Sequence, residues 1–266
     1  MAELRRWAAG VEYQGTRYSG WQWQPDAPSL QRALQEALGK VADHAIELTA
    51  AGRTDAGVHA LGQVVHFDSP APRSAYAWLA GANSLLPPEL SLRWVQPAAG
   101  DFHARFSAVS RRYRYVVLNS RGRGALLADR AAWEARPLDA AAMNEAAQTL
   151  VGEHDFSAFR GADCQSRTPM RHLHRIRVCR FREFVVLDVQ ANAFLQHMVR
   201  NITGTLLAVG RGEQPVGWVG ELLRGRERAR AGVTAPPGGL YFVGPCYPEA
   251  LGLPEPPEPW FPGALP

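Results

Sequence analysis

The feature that most constrains this chain is an order of elements that occurs twice. Arg6 to Tyr13 reads as a strand. Ser29 is placed to cap a helix that carries Leu30, Ala33, Leu34, Ala37, Leu38 and Val41 on one face. Ile46 to Ala51 and Gln63 to Phe67 read as two strands, Arg73 to Leu86 as a helix stopped by Pro87 and Pro88, and Ser91 to Gln96 as a closing strand. The second half repeats the order. Ala108 to Asn119 alternates as a long strand, and Asp139 can cap a helix running to about Val151. Leu173 to Phe181 and Phe184 to Ala191 form a strand pair about a turn at Arg182 and Glu183. Leu195 to Val209 reads as a helix ended by Gly210, Pro215 as the start of a short helix, and Leu240 to Pro245 as the last strand. Two strand-helix-strand-strand-helix-strand units imply an α+β fold. Its two halves would be split βαβ units of the ferredoxin or RRM-like kind, with largely antiparallel sheets flanked by helices.

The length of 266 residues accommodates two such domains, and 46% hydrophobic residues suffice for two cores. The expected bounds are 1–107 and 108–247, followed by a proline-rich tail at 248–266 that cannot join a central strand. Sheets of this type bind RNA in many proteins, but the usual basic-aromatic signature on a central strand is missing, so RNA would need another surface.

Cys164, Cys179 and Cys246 are odd in number and contain no CxxC pair, which argues against a disulfide framework and a thiolate zinc site. Reduced thiols, early arginines without a signal-peptide apolar core, and no run of membrane-span length lead to the expectation of a soluble, cytoplasmic protein. The net charge is +4, and Lys40 is the only lysine. Arginine bias follows from a GC-rich genome, yet the planar guanidinium also suits phosphates and base planes.

The segment Ala50-Ala51-Gly52-Arg53-Thr54-Asp55-Ala56-Gly57-Val58-His59 sets a carboxylate among small residues, with a guanidinium two positions before it. Glycines permit a tight turn and close approach by another molecule. A carboxylate there serves as nucleophile, base or metal ligand, and an Asx turn is the plainer alternative.

His59 and His66 follow the loop without a third partner at ligand spacing, and His172 with His174 lie two apart on one expected strand face. A metal pair there competes with a surface or RNA-facing pair among Arg171, Arg175, Arg177, Arg180 and Arg182. There is no P-loop, dinucleotide fingerprint or serine elbow, and so no indicated cofactor. Arginines at 111, 112, 114, 121 and 123, at 160–182 and at 224–230 suit an acidic polymer or a solvated face. Tyr113 and Tyr115 share one strand face opposite the flanking arginines, either as core or with a hydroxyl at a wet cleft. Arg200 interrupts an apolar helix and needs a carboxylate partner if buried, with Asp55 the economical choice. Such a pair would hold Asp55 ionised.

Five ordered blocks resemble the tRNA pseudouridine synthases of the TruA type. They are Tyr13 to Gln22, Gly52 to His59, His154-Asp155-Phe156, Phe194 to Ile202, and Ala235-Pro236-Pro237 with Gly239-Leu240-Tyr241. Gln14 stands where that family usually has Asp. The resemblance implies the pseudouridine synthase fold. The first domain would carry the catalytic loop and the second would complete the cleft. Asp55 would be the nucleophile, and Arg53 would help displace the target base. Tyr113 would line the pocket as a candidate general base, and Arg200 would pair with Asp55. Leu240 would pack on the uracil, with His59 also on the substrate side. The implied reaction isomerises uridine to pseudouridine at positions 38, 39 and 40 of the tRNA anticodon stem-loop. No metal or organic cofactor is implied, and the implied assembly is a cytoplasmic homodimer. Attack on the ribose, attack on the ring and a glycal route stay open. So do an RNA-binding protein without chemistry and a metal-dependent hydrolase.

Overall fold

The computed structural model describes residues 4–258, which packs as two compact units. The expected tail therefore lies partly outside the described residues, from 259 onward. Among the described residues the first unit comprises 4–109 with 242–257, and the second comprises 110–241 with Glu258.

The first unit holds β1 (Arg5–Tyr13), α1 (Leu30–Ala42), β2 (Thr49–Ala50), β3 (His59–Ser69), α2 (Ala75–Leu85) and β4 (Leu90–Pro97). β1 lies between β4 and β3, antiparallel to both, and β2 also pairs with β3. That arrangement is the strand order of a split βαβ unit. Ser29 and Ser74 cap the two helices through their side-chain oxygens, which accept from Arg32 N and Ala77 N. Alternation along β1 sends Trp7 to one face and Ala8 to the other. On the first face the fully buried Trp78 of α2 meets the rings of Trp7 and Phe67 edge-on, at 6.0 and 5.1 Å between centroids. On the second, Ala8, Ala51, Val64, Phe102 and Ala104 form a core closed by Trp94, Tyr247, Leu251 and Leu253.

The second unit holds β5 (Ser110–Asn119), β6 (Ala132–Glu134), α3 (Ala140–Gln148), β7 (Gly152–Asp155), β8 (Met170–Phe181), β9 (Phe184–Ala191), α4 (Met198–Gly210) and α5 (Trp218–Gly225). Strands β5, β9, β8 and β7 are antiparallel neighbours in that order, while β6 runs parallel to β5. β10 (Leu240–Cys246) begins in this unit and ends in the first. Asp139 caps α3 by accepting from Ala142 N at 2.9 Å.

Most of the expected elements are present, and the differences have local causes. The strand expected over Ile46 to Ala51 shrinks to Thr49–Ala50, because the chain up to Leu48 has no strand partner. The helix expected from Leu195 starts at Met198, since His197 sits at φ 61° and cannot propagate a right-handed helix. β6 and β7 are three and four residues long, too short to show alternation in sequence. Among the described residues no helix is long and apolar enough to cross a membrane.

Candidate active site

In the first unit the Asp55 loop is gripped by the segment that follows β1. Tyr13 Oη and Thr54 Oγ1 are 2.7 Å apart and buried. The Trp21 amide donates to the Thr54 carbonyl at 3.0 Å, and the Gly15 amide donates to His59 Nδ1 at 3.1 Å. From β3, Gln63 Nε2 donates to the Gly52 carbonyl at 2.6 Å. Two glycines allow this approach. A Cβ on Gly15 would collide with the Val58 carbonyl, and one on Gly20, at φ +100°, would lie 2.8 Å from the Thr54 carbonyl oxygen. Within the loop, Val58 N donates to Asp55 O at 3.2 Å and Gly57 adopts φ +76°. The result is a fixed turn in which Thr54 and Val58 are buried, Asp55 is half-buried and Arg53 is exposed. His59 is buried, and its Nδ1 is an acceptor, which fixes any neutral tautomer with the proton on Nε2.

In the second unit the blocks at 194–202 and 235–241 meet β5. Arg200, half-buried on α4, donates from Nε to the Ala235 carbonyl at 2.8 Å, and Ala235 N donates to Arg200 O at 3.1 Å. Tyr115 Oη donates to the Pro236 carbonyl at 2.7 Å. Burial raises the Tyr115 phenol far above its ordinary value, opposed by the positive charge of Arg200. Tyr115 therefore stays a donor throughout the physiological range. Asn201 is fully buried and joins three segments. Its Nδ2 donates to Phe159 O at 2.8 Å, and its Oδ1 accepts from Thr234 Oγ1 at 2.7 Å and Arg228 Nη2 at 3.0 Å. Tyr113 packs its ring edge-on against Phe194, 5.0 Å between centroids, and Leu240 is buried at the start of β10. The structure thus sets Arg53, Asp55 and His59 on one unit, and Tyr113, Arg200 and Leu240 on the other.

The opposite face of β5 corrects one reading of the arginine run. Arg112 and Arg114 do share a face, as alternation requires, but both turn onto Asp188 of β9. Arg112 Nε lies 2.9 Å from Asp188 Oδ1, and Arg114 Nη2 lies 3.2 Å from Oδ2. The side chains of Arg114 and Asp188 are 2% and 6% exposed. These two arginines balance a buried carboxylate and are not part of a solvated basic face. The one local signal for Asp188 is that it is the single acid in Phe184–Ala191, where Gln190 is the only other polar side chain, but its partners cannot be read from that. Tyr13 and Asn201 gave no such signal, because an aromatic in a strand and an amide in a helix read equally well as ordinary residues.

His172 and His174 are exposed, with ring centroids 4.8 Å apart. Among the described residues, no three His, Cys, Asp or Glu side chains gather in a way that could hold a metal ion.

The sequence profile of the tRNA pseudouridine synthase family matches residues 9–107 and 146–248. The chain belongs to that family. It is 54% identical over 248 residues to the tRNA pseudouridine synthase A of Hydrogenovibrio crunogenus, covering 93% of this chain and 95% of the relative. It is 55% identical over 251 residues to that of Xanthomonas euvesicatoria pv. vesicatoria, covering 94% and 98%. It is 51% identical over 263 residues to that of Aeromonas hydrophila subsp. hydrophila, covering 98% of each. The two matched stretches contain all five short blocks, with Arg53, Asp55, His59, Arg200 and Leu240 among them, while Tyr113 lies between the stretches. As a tRNA pseudouridine synthase the chain is an isomerase, and its fold is that of the family.

Proposed function

We propose that this enzyme converts uridine to pseudouridine at positions 38, 39 and 40 of the tRNA anticodon stem-loop, with Asp55 as the nucleophile. The observation that carries the reading is the Asp55 loop itself. Backbone and side-chain groups grip it at Gly52, Thr54 and His59, while Asp55 keeps partial access to solvent. A reacting carboxylate needs that combination of fixed position and access.

The reaction breaks the glycosidic bond at nitrogen, rotates the uracil and joins carbon 5 to the ribose. A proton leaves carbon 5. Atoms and electrons balance within the substrate, so the chemistry needs no redox partner. Arg200 supplies a positive charge, held in place by its bond to the Ala235 carbonyl. Tyr113 lines the pocket and accepts the proton from carbon 5. Leu240 packs on the uracil ring. The exposed Arg53 occupies the place of the displaced base, offsetting part of the few kcal/mol that unstacking costs. The resemblance sets His59 on the substrate side, but its burial and its bond to Gly15 favour a role as an anchor of the loop. The enzyme acts in the cytoplasm as a homodimer whose two copies share one tRNA, and a monomer in sedimentation at working concentration would count against that assembly.

The test is tritium release from tRNA labelled at carbon 5 of uridine, comparing the parent with Asp55→Asn. Release by the parent alone, with tRNA bound by both, supports the reading. Equal release by both removes Asp55 from the chemistry. No release by either, with RNA still bound, turns the reading to an RNA-binding protein.

A further inference from the structure

We infer that Tyr13 is a positioning residue for Asp55, acting through the hydroxyl of Thr54. The inference rests on the reading of Asp55 as the nucleophile.

Thr54 immediately precedes Asp55, so its φ, ψ and side-chain anchor set where the Asp55 Cα and its carboxylate point. The hydroxyl and the carbonyl of Thr54 are engaged from one place. Its Oγ1 meets Tyr13 Oη at 2.7 Å, and its carbonyl accepts from Trp21 N at 3.0 Å. The Tyr13 ring cannot drift, because it lies at the end of β1 against the buried Trp21, 5.8 Å between centroids. The same short segment grips the far end of the loop, where Gly15 N donates to His59 Nδ1. The Asp55 turn therefore hangs between two contacts from residues 13–21, one on each side of the carboxylate.

The Tyr13–Thr54 contact is the side-chain one of the two nearest to Asp55, and so the one that substitution can remove without touching the backbone. Loss of the bond leaves the fold of β1 and β3 paired through its own ladder, from Arg5↔Ser69 to Val11↔Gln63. What it releases is the rotation of Thr54 and, with it, the aim of Asp55. Displacements near 1 Å at a reacting group lower rates by up to about a hundredfold. A contact that only stabilised the fold would change melting and leave turnover per folded molecule intact.

The experiment measures tritium release at saturating and limiting tRNA for Tyr13→Phe, Thr54→Val, Thr54→Ser, the Tyr13→Phe/Thr54→Val pair and Asp55→Asn. Expected is a kcat fall of roughly tenfold to a hundredfold for Tyr13→Phe and for Thr54→Val, with KM for tRNA within about twofold of the parent. Thr54→Ser, which keeps the hydroxyl, should restore most of the rate. The double variant should be no worse than the poorer single one, because both remove one bond. Should Tyr13→Phe fail to fold, Thr54→Val removes the same bond with the ring in place and decides the matter. The proposal is overturned if Thr54→Val turns over within about twofold of the parent, if KM alone rises, or if the two losses multiply. An active Asp55→Asn would instead overturn the reading of the site on which the proposal rests.

Discussion

Arg200 and Ala235 are bound to each other in both directions. The guanidinium Nε donates to the Ala235 carbonyl at 2.8 Å, and the Ala235 amide donates to the Arg200 carbonyl at 3.1 Å. One residue of α4 thereby fixes the start of the loop that delivers Leu240. Lysine keeps the charge but lacks both the Nε donor and the planar fork. Arg200→Lys is expected to lose at least about tenfold in kcat/KM for tRNA. A hydrogen bond from a charged group is worth about 1.5–3 kcal/mol, so melting should fall by several degrees. Steady-state tritium release beside thermal melting checks both. Full turnover by the lysine variant would show that the fork has no part in the site.

Asp188 stands between two arginines that have left water to reach it, with the Arg112 and Arg114 side chains 13% and 2% exposed. Removing the carboxylate takes away the acid that both arginines share, and of the two Arg112 keeps Glu258 at 3.1 Å. Breaking a buried pair in this way costs about 3–5 kcal/mol. Asp188→Asn should therefore lower the urea midpoint of the second unit markedly, while each molecule that remains folded turns over at close to the parent rate. An unchanged midpoint would mean that the pair is not a stability element.

The contrast between Asp55 and Asp188 shows what could be read from sequence. The Gly52–Gly57 frame marked Asp55 because small residues around a carboxylate are a local pattern, Arg200 stood out as a charge in an apolar helix, and Leu240 was marked only by the family resemblance. Caps at Ser29 and Asp139 were equally local, and both are made. Asp188 took its meaning from β5, 74 residues earlier at Arg114, and only the β5–β9 register brings the two together. The Tyr13–Thr54 bond, 41 residues apart, depends likewise on the pairing of β1 with β3. Contacts across a sheet need its register, and the register is not a local property. The same limit explains why the arginine run at 111–114 read as a basic face.

His66 gives the fold a pH dependence of known sign. Burial chiefly, and then the positive charges of Arg6 and His103, push its pKa down to about 4. Its Nδ1 accepts from Ala104 N at 3.1 Å, which protonation at that atom would forbid. The unfolded chain binds the proton near pH 6.5. Between those values the unfolded state holds more protons, so stability is fully present above about pH 6.5 and is lost as pH falls toward 4. The loss is at most about 3.5 kcal/mol, from about 1.4 kcal/mol for each pH unit between the two values. His66→Asn offers an oxygen in place of Nδ1 and does not titrate. Urea unfolding at pH 7, 6, 5 and 4.5 should show a shallower decline for the variant than for the parent. Parallel declines would assign the effect to carboxylates alone.

Arg53 is the one long side chain exposed on its loop, where Asp55 is half-buried and the other exposed residue, Ala56, is small. A guanidinium placed there can stack where a base has left the helix, and its value then depends on what the base left behind. Position 38 of tRNA lies in the anticodon loop, whereas 39 and 40 lie in the stem and must be unpaired as well as unstacked. Extruding a base costs a few kcal/mol when it is paired and less when it is already single-stranded. Arg53→Ala should therefore lose most activity on tRNAs whose target is uridine 39 or 40 and least on those with uridine 38. The expected separation is about tenfold, equivalent to about 1.4 kcal/mol of unpairing no longer offset. Tritium release from three transcripts that differ only in the position of the labelled uridine reads this directly. An equal loss at all three positions would make Arg53 a contact to the RNA backbone, and the variant would then also show a weaker salt dependence of KM than the parent.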